Sequence, residues 1–441
     1  MINLNMEEKD KTMENIVSLA KRRGFIFQGS EIYGGLAGTW DLGPLGVALN
    51  NNLKKLWWEM FVESREDMYG VDAAILMNAK VWESSGHVAT FTDPLTECDK
   101  CKRRFRADQV EGDKCPECGK GKLSPARQFN LMLKTSMGAI EDSSSVSYLR
   151  PETAQGMFVN FKNVMDSLHP KLPFGLAQIG KAFRNEITPR DFLFRVREFE
   201  QMEVEYFVRP ETWEKHFEEW RKIMWAWIEA IGLEKSKVSE LEVPDEDRAH
   251  YSKRTIDFEF EYPFGKKELY GLAYRTDHDL KSHMNGSGVD LTYFDEETKE
   301  RFLPHVIEPS LGVGRSLLAV LLSAYKEDEM GAEKRVYLKL PAKIAPVKVA
   351  VFPLLKNKPD LVNKAREVHK MLKIEIPSVM FDDNGNIGKR YRRQDEIGTP
   401  FCVTIDFDTL TDDTVTLRDR DFGKQERVKI SQLVALLKKS L

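Results

Sequence analysis

The middle of the chain alternates with a period of two residues. From Arg195 onward the odd positions are Arg195, Arg197, Phe199, Gln201, Glu203 and Glu205; the even ones are Val196, Glu198, Glu200, Met202, Val204 and Tyr206. In a strand these sets point to opposite faces. The even face turns apolar at Met202 and suits a core. The odd face gathers two arginines, a phenylalanine, an amide and two carboxylates. Such a surface suits a polyanion, a flat ring and an ammonium group together; a salt-bridged, solvated sheet face is the plainer reading. Upstream, FGLAQIGKAFRNE is also strand-like, and Thr188-Pro189-Arg190-Asp191 supplies a turn. The pattern predicts an antiparallel hairpin with Arg184, Asn185 and Glu186 on one arm. Arg254 to Tyr262 alternates again, and Lys267 to Asp277 is a further strand, carrying Glu268 and Arg275.

Helical spacing punctuates these strands. Glu14 to Arg23 reads as a short helix and Val47 to Val62 as a long one, with Leu49, Leu53, Leu56, Trp57, Met60 and Phe61 on one face. That face is either core or a subunit interface. Leu149 to Gly156 opens another helix, where Glu152 and Thr153 stand at capping positions. Thr212 to Ile231 places Trp213, Phe217, Trp220, Met224, Trp227 and Ile231 on a core stripe. Val306 to Arg315 runs from strand through two glycines into a helix expected to continue to Tyr325. This mixture predicts an α+β fold: an antiparallel sheet flanked by helices. After Pro346 the texture becomes βαβαβ, a separate α/β domain of ordinary size. Its helix Ile387 to Glu396 shows a basic face of Lys389, Arg390, Arg392 and Arg393, and Cys402 reads as a buried thiol.

Composition narrows the classes. The 441 residues are 41% hydrophobic and 31% charged, with a net charge of −4. A strongly basic nucleic-acid coat is excluded, but a local basic groove is not. No apolar run approaches a membrane span, and the N-terminus lacks a secretory apolar region, so it reads as a cytoplasmic start. The glycine-rich run Tyr33 to Gly46 lacks a Gly-Lys-Ser/Thr ending and is not a P-loop. Four of the five cysteines, Cys98, Cys101, Cys115 and Cys118, form Cys-x2-Cys-x13-Cys-x2-Cys. Two knuckles presenting four thiolates to one ion make a closed tetrahedral zinc site, structural because no position is left for water. Lys100, Lys102, Arg103, Arg104 and Arg106 around it suit either nucleic acid or solvent.

Five motifs in order, RPETAQG, FRNEITPR, REFEQMEVEYF, YRTDHDL and EPSLGVGR, together with WDLGPLG, resemble the homodimeric glycyl-tRNA synthetases of class II. The resemblance covers nearly the whole chain. It implies a catalytic sheet domain over 1–93 (with the dimerisation region) and 126–341, a zinc insertion over 94–125 and an anticodon-binding domain over 342–441. It also implies ATP with Mg2+, glycine and tRNA(Gly) as partners, and no membrane association. By position, Arg184, Arg197 and Arg315 would be the catalytic arginines. Arg184 would hold the α-phosphate, Asn185 and Glu186 the nucleotide, and Arg197 the distal phosphates, while Phe199 and Arg315 would sandwich adenine. Phe194, Arg195, Val196, Glu198, Glu268, Leu269, Gly312, Val313 and Gly314 complete the implied nucleotide site. The implied glycine site takes Arg106, Glu152, Phe199, Glu200, Gln201, Met202, Glu203, Arg275, Glu308, Pro309, Ser310, Leu311 and Gly312. Glu268 and Glu308 are the candidate magnesium ligands.

The chemistry fits those residue types. Attack of a carboxylate on an α-phosphate needs charge neutralisation and in-line placement, and forked arginine donors match phosphate oxygens. Glycine offers no side chain to grip, so a small cavity filled by carboxylates can bind its ammonium and exclude a β-carbon. Same-face residues along a strand recur about every 7 Å, which puts Phe199 and Glu203 about 13–14 Å apart, the span of an aminoacyl-adenylate. Three other readings remain open: another synthetase of the same subclass, a non-catalytic nucleic-acid-binding paralogue, and an adenylating enzyme with no tRNA partner, which would lack the C-terminal domain and its basic helix. Retention of Arg184, Arg197 and Arg315 argues against the second.

Overall fold

A computed structural model describes residues 2–140, 145–249, 251–330 and 333–441. Its centre is a seven-stranded sheet. In chain order the strands are β1 (Met68–Gly70), β2 (Phe174–Phe183), β3 (Glu198–Val208), β4 (Val238–Glu242), β5 (Arg254–Tyr262), β6 (Gly265–Thr276) and β7 (His305–Gly312). They lie in the order β4-β5-β6-β7-β3-β2-β1. All pairs are antiparallel except β1 with β2.

The period-two alternation sorts the two faces. Met202, Val204 and Tyr206 of β3, Ile256, Phe258 and Phe260 of β5, and Leu272 and Tyr274 of β6 face the main core. Three helices cover that side: α1 (Pro44–Trp58), α3 (Trp213–Ala230) and α5 (Val313–Ala324). Leu49, Leu53, Trp57 and Phe61 are fully buried there, so this face is core within one chain and not an exposed interface. On the opposite side α2 (Ala154–Leu168) packs Met157, Phe158 and Phe161 on Phe174, Leu176 and Phe207, with Leu280 from α4 (His278–Ser287). Beside that second apolar cluster the sheet face turns polar.

Near the hairpin a smaller sheet, with Thr92–Glu97 between Arg104–Arg106 and Arg127–Asn130, carries the four cysteines on its far turns. The last hundred residues form a five-stranded mixed sheet with its own core, including Val351, Leu372, Val403 and Leu433. Its edge strand Gln425–Lys429 was not anticipated. Neither was the hairpin Tyr325–Met330 with Glu333–Leu338, which ends the expected helix at Ala324. The basic face on Ile387–Ile397 is largely consumed. Arg390 is buried and donates to the carbonyls of Asp383 and Gly385, and Arg393 pairs with Asp382. Cys402 is buried as expected.

Candidate active site

The hairpin between β2 and β3 opens into a cleft of about 340 Å³. Phe91, Asp93, Arg106, Arg184, Glu186, Phe194, Arg195, Val196, Phe199, Gln201, Glu268, Leu269, Ser310, Gly312, Gly314 and Arg315 line it. Its floor is the odd face of β3, where Phe199 lies opposite Ala182 and Glu203 opposite Gln178 on β2. On the other side Gln201 pairs with Gly312 and Glu203 with Ser310 on β7. Register therefore sets an aromatic residue at one end and a carboxylate at the other.

The upper half of the cleft holds three arginines. Arg184 Nε donates to the Pro151 carbonyl at 3.0 Å. Its guanidinium carbon lies 5.2 Å from the Phe199 ring and 5.3 Å from that of Phe91, within cation–π range. Arg195 is half-buried, 3.9 Å from Glu186, and its Nη1 has no hydrogen-bond partner. An orphaned buried guanidinium donor is costly unless an anion arrives. Arg315 pairs with Glu268 at 3.0 Å and sits 4.5 Å from the Phe194 ring. The Arg315 charge beside it holds the Glu268 carboxyl below the usual range. Arg106 reaches the cleft wall from the smaller sheet, paired with Asp93 and Asp108 at 2.8 Å each.

Below this half lies a buried carboxylate network. Glu203 accepts from Thr153 Oγ1 at 2.5 Å, from Ser310 Oγ at 2.7 Å and from Gln201 Nε2 at 3.2 Å. Glu308 accepts from Arg275 Nη1 at 2.6 Å, and Arg275 closes a bidentate pair with Asp279 at 2.8 Å per bond. Arg275 occupies an irregularity in the pairing of β6 with β7, between Tyr274 and Thr276. A bulge of this kind re-aims a side chain. Gln155 donates to both Glu152 and Asp279 at 3.0 Å, so its oxygen accepts from His283 Nε2 at 2.7 Å. His87 Nε2 lies 3.3 Å from Glu152, and its Nδ1 lies 2.8 Å from Ser85 Oγ.

Burial pushes the Glu203 carboxyl up, and the neighbouring Glu152 charge adds to this. Glu308 is likewise driven well above its ordinary value, because burial outweighs its bond to Arg275. Glu152 goes the other way: burial raises it, but the His87 ring and Arg275 together hold it well below the carboxylate range. The buried cluster thus carries more acid groups than cations, and it is arranged to receive a positive charge.

The geometry places the side chains of several sequence-derived residues outside the cleft wall or only partly in it. Arg197 is not in the cleft wall; it donates to the carbonyls of Ala37 and Glu186 at 2.9 and 3.2 Å. Arg195, two residues earlier, takes the inward place. Glu198 forms an exposed pair with Lys181, and Glu200 points to the opposite face, toward Asn50 and Lys54. Strand alternation turns both away. Met202, Leu311 and Val313 are core side chains, and the buried Leu269 side chain also packs into the core. Asn185 and Pro309 do not line the cleft. Glu308 is buried beneath the floor and engaged by Arg275. Glu152 does not cap its helix; it bonds Gln155 and His87. Residues that the sequence reading left out include Thr153, Gln155, His87, Asp279 and Glu205. Glu205 has the alternation as its signal, and Thr153, Gln155 and Asp279 lie within the motifs RPETAQG and YRTDHDL; His87 has none.

In the insertion, the sulfurs of Cys98 and Cys118 are 3.8 Å apart and those of Cys101 and Cys115 3.6 Å. All four lie within 4.8 Å of one another. A zinc tetrahedron with bonds of about 2.3 Å has edges of about 3.8 Å, so the cysteines fit that ion. A Cβ at Gly121 would meet Cys98 Sγ at 2.2 Å, which explains a glycine at the knuckle. Arg103 and Arg104 are spent on Glu117 and Glu97.

Residues 139–325 match the class II tRNA synthetase core domain (G, H, P, S and T), and residues 348–440 match the anticodon binding domain. The sheet and its polar cleft are thus those of a class II synthetase. Among curated relatives, the glycine–tRNA ligase of Clostridium acetobutylicum is 50% identical, covering 98% of this chain and 99% of the relative. That of Thermobifida fusca is 50% identical over 99% of each, and that of Streptomyces coelicolor 52% identical over 96% and 97%. The chain belongs to the glycine–tRNA ligase family.

Proposed function

We propose that this chain joins glycine to tRNA(Gly) in two steps on the β3 surface. In the first, a glycine carboxylate oxygen attacks the α-phosphorus of ATP; the Pα–O–Pβ bond breaks and pyrophosphate leaves. In the second, a hydroxyl of the terminal adenosine of tRNA attacks the glycyl carbonyl and AMP leaves. The observation that carries this reading is the juxtaposition, at one end of β3, of an arginine-lined cleft and a buried carboxylate cluster.

Each residue acts through what it touches. Phe199 offers a ring face to adenine, and Arg315 closes over it once its contact with Glu268 is exchanged. Arg184 neutralises the α-phosphate and Arg195, with its unpaired donor, the distal phosphates. Arginine forks suit this because the transition state gains charge on oxygens the ground state already shares. Glu152, Glu203 and Glu308 receive the ammonium group, with Ser310 and Gln201 fixing Glu203. Their side chains fill the space in which any β-carbon would stand. Bound magnesium would add charge neutralisation at the leaving pyrophosphate; Glu268, half exposed in the wall, has the chemistry to hold it.

The remaining assignments are of the same kind. Zinc on Cys98, Cys101, Cys115 and Cys118 stabilises the insertion and helps seat the tRNA acceptor arm. Residues 342–441 hold the anticodon, the enzyme works as a homodimer, and its place is the cytoplasm. No helix among the described residues is long and apolar enough to cross a membrane. The test is pyrophosphate exchange with each of the twenty amino acids. Exchange with glycine alone is expected, and strong exchange with another amino acid would overturn the reading.

A further inference from the structure

One acid on β3 has no use in the site as described. Glu205 follows Glu203 on the same strand face and is fully buried. Neither of its carboxyl oxygens has a hydrogen-bond partner among the described residues. Glu203, Glu205 and Glu308 each bring one carboxylate oxygen within 4.8 Å of the other two. The charged groups facing Glu205 are Glu203 from its own strand, Glu308 from β7, Arg275 from β6 and Asp279 from α4. Arg275 is already committed to Glu308 and to both Asp279 oxygens. Among the described residues no cation is left for Glu205.

A buried carboxylate without partner or counter-ion is among the most costly groups a fold can hold, and two like charges beside it add to the cost. The acid form avoids both costs. Burial, then the Glu308 charge, push Glu205 far above the ordinary carboxyl range. A protonated carboxyl owns one O–H donor. The acceptors at hand are the carboxylates of Glu203 and Glu308.

We propose, building on the glycine-pocket reading above, that Glu205 is a positioning residue: its O–H donates toward Glu203 and Glu308 and fixes their spacing beneath the glycine ammonium group. Glu205 touches no substrate. The cluster then has the shape of three carboxyl groups and the charge of fewer. Three ionised carboxylates at this spacing would suit a divalent cation better than a monovalent ammonium.

Two variants separate the donor from the shape. Glu205→Gln keeps the length and an N–H donor; Glu205→Met keeps the length and removes the donor. The unmodified enzyme is assayed first by pyrophosphate exchange with glycine. Failure there defeats the proposed function, not this inference. Glu205→Gln is expected to hold glycine KM and kcat within about threefold of the unmodified enzyme, with the same kcat/KM profile from about pH 6.5 to about pH 9. Glu205→Met should raise glycine KM about tenfold or more while changing ATP KM less than about threefold. Equal impairment of the two variants would show that an ionised carboxylate is needed, and unchanged glycine KM in Glu205→Met would show no role; either overturns the proposal. If thermal melting shows that the Met variant does not fold, the Gln variant decides. Its unaltered KM and pH profile support the proposal, and a shifted profile overturns it.

Discussion

Around Arg195 the protein leaves guanidinium donors without partners, whereas both carboxylate oxygens of Glu203 are bonded. Arg195 lies just before β3 and Glu203 within it, a few residues apart, and the two regions differ in what they wait for. The arginine half is rimmed by aromatic faces and backbone carbonyls, which orient Arg184 and Arg315, while Arg195 lies 3.9 Å from Glu186 with one donor unbonded. It suits a large, flexible polyanion that brings its own solvation. The carboxylate half is buried and cross-linked through Thr153, Gln155, Ser310 and Arg275. It suits a ligand with no freedom to adapt. A small substrate is selected by rigidity, and a large one is gripped by charge.

Removing Glu203 breaks this division most severely. Glu203→Ala strips Thr153 and Ser310 of their acceptor and the ammonium of its carboxylate. Truncating one side of such a buried charge pair costs about 2–5 kcal/mol. Glycine kcat/KM is therefore expected to fall by about 30-fold to several thousandfold in pyrophosphate exchange, at the usual conversion of barrier to rate. A fall below tenfold would show that Glu203 does not meet the substrate.

Much of this contrast was legible in the sequence. The strand Arg254–Tyr262 and the stripe of Trp213 to Ile231 follow from periodicity alone, because each buries one face in the main core. The four cysteines declare themselves by local spacing. What failed was the carrying over of contiguous residues. Glu198, Glu200 and Met202 were included in the site, although alternation itself turns their side chains away. Asp279, Gln155 and His87 were missed because their meeting depends on long-range packing of helices and loops. The hairpin Tyr325–Leu338 was hidden by its charge: Arg335 is buried only because Asp328 and the Arg420 carbonyl receive it.

The arginine half supplies the next test. Arg195→Ala should raise ATP KM by about tenfold or more, since charge-assisted bonds to phosphate contribute about 1.5–3 kcal/mol each. Arg197→Ala, held on carbonyls at the rim, should cost less than Arg195→Ala in the same exchange assay. The reverse order would return Arg197 to the cleft. A smaller effect is expected from the insertion. Cys115→Ser should lose bound zinc by atomic absorption and lower the melting temperature. It should reduce tRNA charging more than pyrophosphate exchange, because the thiolates lie outside the cleft.

The smallest effect is a pH dependence of stability. Glu205 and Glu308 bind protons more tightly folded than unfolded, so the folded state holds more protons above the ordinary carboxyl value. Stability from these groups is full below that value and is lost as pH rises through their folded pKa. The ligand-free protein should therefore lose less stability between about pH 6 and about pH 8 in the Glu205→Gln form than in the unmodified form, read as the difference in melting temperature at the two pH values. An identical difference in both would mean that Glu205 does not titrate with folding.

The separation of the two halves is tested most directly by calorimetric titration of ATP, without glycine, into Glu203→Ala and Arg195→Ala. ATP affinity is expected within about threefold of the unmodified protein for the first and at least about tenfold weaker for the second. Equal weakening in both would contradict the division of the strand into a phosphate half and an ammonium half.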